Sequence, residues 1–97
     1  DVVMRFPGGA VFRRLEELVA WAKPRYQRVG KRVERIDVAE DGDGHVVFCQ
    51  GTLVGVWPDG TRFADIRFAD WFVIRDGRIA RQEVWNDLAE ARAEREG

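Results

Sequence analysis

The sequence predicts an α+β fold: one helix covering a face of a curved antiparallel sheet. Three observations carry this. Apolar residues at helical spacing occur once, early in the chain, at Phe12, Leu15, Leu18, Val19 and Ala22. After Gly30 nearly everything is rich in strand-favouring residues. Three turn signals, Asp41-Gly42-Asp43-Gly44, Pro58-Asp59-Gly60 and Asp76-Gly77, divide that second part into successive hairpins. With 97 residues the chain is expected to form a single domain over 1–97.

The elements follow in order. Val2-Val3-Met4-Arg5-Phe6 favours a short strand, and Pro7-Gly8-Gly9 stops it. From Ala10 the spacing predicts an amphipathic helix, with Arg13, Arg14, Glu16 and Glu17 on its polar side. Pro24 ends or kinks that helix at Lys23, although Tyr26 and Val29 can extend its apolar line to a stop at Gly30. Strands are then expected near 32–39, 45–57 and 62–75, with a fourth ending near Asn86. Asp87 to Glu96 carries helix-favouring residues with Leu88 as its only large apolar one, so a short terminal helix is expected.

Composition narrows the function classes. A net charge of −1 gives no general electrostatic grip on nucleic acid or an anionic membrane, and neither is expected as a partner. No apolar run reaches the length of a membrane span, and the first residues show no secretory signal pattern. The single cysteine, Cys49, has no internal disulfide partner, which suits a reducing compartment, and the cytoplasm is the expected location. A chain of this length buries only about 60 to 65% of its unfolded surface, so a partner subunit would help it.

The strand from Arg62 to Arg75 raises the functional question. Its even positions are Ala64, Ile66, Phe68, Asp70, Phe72 and Ile74, apolar except for one carboxyl group. If that face meets the helix, desolvation disfavours the charged form of Asp70, and a neutral acid there can donate a hydrogen bond to a substrate oxygen. Two structural readings stand beside this one: an ion pair with an arginine of a neighbouring strand, or a bulge that turns Asp70 to solvent.

The order of elements, with "MRFPGG", one helix, and then "GTLVGVWPDGTRFADIRFADWFVIRDGRIARQEVWND", resembles the nuclear transport factor 2-like superfamily and its SnoaL-like polyketide cyclase branch. The resemblance covers nearly the whole chain. It implies a cone-like fold whose curved sheet wraps a mostly apolar pocket, frequently dimeric through the outer sheet face. Members include ketosteroid isomerases, limonene-1,2-epoxide hydrolases, scytalone dehydratases, polyketide cyclases and association domains without chemistry.

By this resemblance Asp70 lines up with the protonated aspartate of the isomerases' oxyanion hole. Phe6 stands where those isomerases carry their aspartate base, so no general base is identified. Gly51, Leu53 and Val84 occupy the positions of the epoxide hydrolases' charged triad. Asp87 is either a cyclase-like acid/base or a helix cap. Family members usually begin with two further helices, and with its first strand at Asp1 the domain is expected to be N-terminally incomplete.

Strand parity and the family alignment place Met4, Phe6, Cys49, Gly51, Leu53, Ile66, Phe68, Asp70, Gln82, Val84 and Asn86 on the pocket wall, with Trp21 and Tyr26 added from the helix region. Gln82 and Asn86 can hold a ligand carbonyl or satisfy buried backbone groups. No metal and no cofactor are expected. "DGDGH" lacks the glycine and closing glutamate of a calcium loop, and one histidine with one cysteine makes a poor transition-metal set. His45 sits at a hairpin mouth, and Cys49 has no identifiable histidine to activate it. Lys23, Arg25, Arg28, Lys31, Arg32 and Arg35 form a basic group that reads as a solvated face or as a lure for an acidic ligand.

The expected function is binding of a small, mostly apolar ligand with a carbonyl or hydroxyl group, with Asp70 as acid or hydrogen-bond donor in an isomerisation, cyclisation or dehydration. The alternative is a non-catalytic module that dimerises or associates through outer-face aromatics such as Phe63, Trp71 and Trp85.

Overall fold

The computed structural model describes residues 2–96; Asp1 and Gly97, the two ends of the expected domain, lie outside the described residues. A six-stranded, curved and unclosed sheet forms the body, with strands β1 (Val3–Phe6), β2 (Ala10–Phe12), β3 (Arg28–Asp41), β4 (Gly44–Val56), β5 (Arg62–Arg75) and β6 (Arg78–Asn86) in the spatial order β2-β1-β6-β5-β4-β3. Helices α1 (Leu15–Ala22) and α2 (Leu88–Glu96) complete the α+β fold. Among the described residues no helix is long and apolar enough to cross a membrane.

The three hairpins form where the Asp-Gly turns predict them, joining β3 to β6 as an antiparallel meander. At the β5–β6 turn both central residues have positive φ, 53° at Asp76 and 70° at Gly77, as a type I′ loop requires. β1 returns beside β6 in parallel, Met4 opposite Gln82.

Two expectations at the start of the chain need correction. Residues 10–12 are not helical: they fold back as β2 against β1, Phe12 opposite Met4. The Phe12 spacing that suits a helix also suits a strand, and pairing with β1 decides between them. After Pro24 the chain does not extend α1 to Gly30 either, because Val29 and Gly30 already belong to β3, opposite Gly55 and Val54. β3 is therefore 14 residues long and forms a sheet edge, exposed along its length.

A bulge changes what faces inward. Between the pairs Leu53–Ile66 and Gly55–Phe63, β5 carries one residue more than β4, and Asp65 takes a positive φ of 60°. Phe63 thus moves from the outer face, where strict alternation puts it, to the inner core, its ring 4.5 Å from that of Trp57. The core consists of Leu53, Trp57, Phe63, Ile66 and Phe68, with Tyr26, Cys49, Leu88 and Ala91 packed against it. α1 meets the sheet at its β1–β2 end, where Trp21 lies 5.5 Å from Phe6 and 5.3 Å from Phe12 between ring centroids. Leu15 and Val19 on the same helix stay exposed.

Candidate functional site

Asp70 sits in the middle of β5, opposite Cys49 of β4 and Val84 of β6. Its residue is 1% exposed. The cation that reaches it is a lysine, where the sequence suggested an arginine: Lys31 Nζ donates to Asp70 Oδ2 in an ion pair. The other carboxylate oxygen, Oδ1, is buried with no hydrogen-bond partner among the described residues. Lys31 is thereby separated from the solvated basic group in which its sequence neighbours place it, though 43% of its side chain remains exposed.

The register explains how a residue of β3 reaches across β4. Lys31 is opposite Leu53, and Cys49 is opposite Asp70. Between Leu53 and Cys49 on the inner face lies Gly51, which has no side chain to block the diagonal. Opposite Gly51 is Phe68, and Lys31 Nζ lies 5.4 Å from the centre of that ring. Gly51 itself admits nothing larger, since an added Cβ would lie 2.0 Å from the Arg32 carbonyl oxygen.

A second concave feature lies toward the helices. A cleft of about 340 Å³ opens between the Pro7–Gly8 turn, the end of α1, Trp57 and the first turns of α2. Trp21, Tyr26 and Asn86 line it, as do Arg25, Leu88, Glu90 and Arg92. Arg25 stacks on Trp21, its guanidinium carbon 3.8 Å from the ring centre. Burial pushes the Tyr26 hydroxyl above its ordinary pKa, while the neighbouring Arg25 charge pulls the other way.

The wall residues expected from parity therefore divide between two places. Trp21, Tyr26 and Asn86 reach the cleft, whose lining does not include Asp70. Leu53, Ile66 and Phe68 form the core, with Cys49 against it, and Met4 and Val84 are buried. Phe6 meets Phe12 edge to face and Trp21 at a tilt, and Gln82 lies between Met4 and Phe72 in the ladder. Asn86 Oδ1 accepts the Leu88 N–H at 3.2 Å, at the start of α2. Asp87 accepts from Arg67 Nε at 2.7 Å, and its carbonyl accepts the Ala91 N–H. Sequence reasoning offered Lys31 and Arg25 only within a basic group, without singling either out, and missed Trp57. The glycine gap at 51 is a signal for the first, but it needs the β3–β4–β5 register to be read. Among the described residues no three His, Cys, Asp or Glu side chains group as metal ligands.

Comparison with solved structures places the fold. A protein of unknown function from Burkholderia pseudomallei, described as NTF2-like, superposes with a TM-score of 0.72 at 18% identity, covering 94% of this chain and 73% of that one. TerC, co-crystallised with polyporic acid, gives 0.73 at 23% identity, covering 100% and 78%. A Jannaschia sp. CCS1 protein described as a SnoaL-like polyketide cyclase gives 0.64 at 20% identity, covering 95% and 68%. No curated protein matches the sequence. The model of the SnoaL-like domain matches residues 1–82, and together with the curved sheet this shows that the chain belongs to the SnoaL-like domain family, within the nuclear transport factor 2-like superfamily.

Proposed function

We propose that this chain binds a small, mostly apolar ligand bearing a carbonyl or hydroxyl group against the inner face of the sheet, with Asp70 as its acid/base and hydrogen-bonding residue. The observation that carries the reading is Asp70 Oδ1: a buried carboxylate oxygen without a hydrogen-bond partner among the described residues. Such an atom costs free energy unless something donates to it, and functional sites are where proteins keep one. With Oδ2 held by Lys31, Oδ1 is the atom left to accept a ligand hydroxyl or proton, and the half-exposed ammonium has further N–H donors for a carbonyl. This changes the part expected of Asp70 from donor to acceptor. Met4, Leu53, Ile66, Phe68 and Val84 supply the apolar surroundings. Isomerisation, cyclisation or dehydration each require a proton to move beside a carbonyl, which this pair is equipped to assist. The co-crystallisation of TerC, of the same fold, with polyporic acid agrees with a small-molecule role.

The test is a ligand-observed NMR screen of small ketones and phenols on native protein and Asp70→Leu, with thermal shift as the second readout. Ligands should emerge whose affinity falls at least about tenfold in the variant. A screen in which every ligand binds both proteins equally, or none binds the native one, would end the proposal.

A second reading has its own observation. On the outer face Trp85 is 52% exposed and Phe48 38% exposed, and Trp71 stands opposite Phe48 in the ladder. Aromatic groups left in water on one sheet face suit a homodimer or another protein association, with or without a ligand inside.

A further inference from the structure

We infer that the cleft between α1 and α2 is a docking subsite for a flat aromatic ring carrying a carboxylate, with Arg25 as the partner of the negative charge. The inference rests on the reading that this chain binds a small ligand, and it adds the chemistry of the ligand's second end. Three observations point to it. Trp21, Tyr26 and Trp57 give the cleft aromatic walls, and its volume of about 340 Å³ falls at the small end of ligand pockets, enough for one or two fused rings. Arg25 lies over Trp21, its guanidinium carbon 3.8 Å from the ring centre, and forms no ion pair among the described residues, so its charge is placed and not neutralised. A guanidinium stacked in this way is pre-organised to meet a carboxylate in its own plane with two parallel N–H bonds.

The other polar groups suit the same ligand. Asn86 gives its carbonyl oxygen to the α2 backbone, which leaves its amide N–H groups for a ligand acceptor. Tyr26, whose hydroxyl burial pushes further above its ordinary pKa, is a hydroxyl donor. Glu90 also lines the cleft from α2, but Arg25 is the charged group stacked on its aromatic wall. An anion is thus favoured over a cation. A neutral ring would gain only the stacking.

The probes are 2-naphthoate and its neutral isostere 2-naphthamide, measured by calorimetry and tryptophan fluorescence. Naphthoate should bind at least about tenfold more tightly than the amide. Arg25→Gln should bring naphthoate down to the amide's affinity without changing the amide's, and Arg25→Lys should keep part of the preference, since it retains charge but not the planar fork. Equal affinity for the two probes, no binding of either, or an undiminished preference in a folded Arg25→Gln protein would each overturn the assignment. Absence of naphthoate binding alongside Asp70-dependent binding of ketones would sink this inference alone. The opposite result would sink only the role proposed for Asp70.

Discussion

Lys31 and Asp70 are unequal partners, and removing each should have a different cost. Lys31 keeps much of its side chain in water whereas Asp70 has none of it there. Lys31→Met therefore strands a buried carboxylate and should destabilise the fold by about 2 to 3 kcal/mol, somewhat below the range for fully buried pairs because the lysine is partly screened. Asp70→Leu is close to isosteric, removes the orphaned Oδ1 as well, and frees a lysine that can hydrate. It should be neutral or stabilising by up to about 1 kcal/mol. Urea unfolding of the two variants measures both numbers, and a larger loss in Asp70→Leu than in Lys31→Met would refute this account of the pair. Half of it was legible in the sequence: a carboxyl group amid Ile66, Phe68, Phe72 and Ile74 announces itself by parity. Its partner was hidden, because no spacing rule links positions 31 and 70 across an intervening strand.

At the level of elements, α2 shows how a helix with little apolar surface stays docked. Leu88 and Ala91 touch the core, and the far end is tied by Arg95, which donates to Asp59 at 2.6 Å and to the Thr61 hydroxyl at 2.8 Å. Asp59 also accepts from the Thr61 hydroxyl and backbone N–H. These donors hold the Asp59 carboxyl well below the usual carboxylate range, the Arg95 hydrogen bond foremost. A depressed folded-state pKa means that the contribution is complete above the unfolded value near 4 and is lost as pH falls from there through the folded value. Hydrogen exchange should accordingly show α2 amides losing protection below about pH 4 before the sheet does, and Arg95→Ala should lower their protection at neutral pH by about threefold. Unchanged α2 protection in that variant would show the tie to be idle. The helix itself was legible from Asp87 onward, but its clasp lies in the Pro58-Asp59-Gly60 turn, which the sequence presents only as a change of direction. At the other end of the chain, Val11 and Phe12 suited either of two periodicities, and contact with β1 chose the strand.

For the molecule as a whole, the paired Asp-Gly turns made the meander readable, and the family resemblance supplied the cone. What the sequence withheld was the assignment of faces, since each depends on register. The exposed aromatic outer face carries the prediction at this scale. If Trp85 and Phe48 are covered by a second copy, light scattering at micromolar concentration should give twice the chain mass of 11.2 kDa, and Trp85→Glu should return it to the single mass through charge repulsion and desolvation at the interface. A native protein that runs at the single mass would leave that face to another partner. The bulge at Asp65 has a consequence of a different kind, for how the gene can drift. Residues 64 and 65 are exposed, and a length change there looks as harmless as one at a hairpin tip. Deleting either removes the extra residue, so that plain alternation itself puts residues 63 and 66 on the same face, opposite Gly55 and Leu53, and keeps the ring of residue 63 beside Trp57. Among positions inside a strand, this is where losing one codon should be most forgiven.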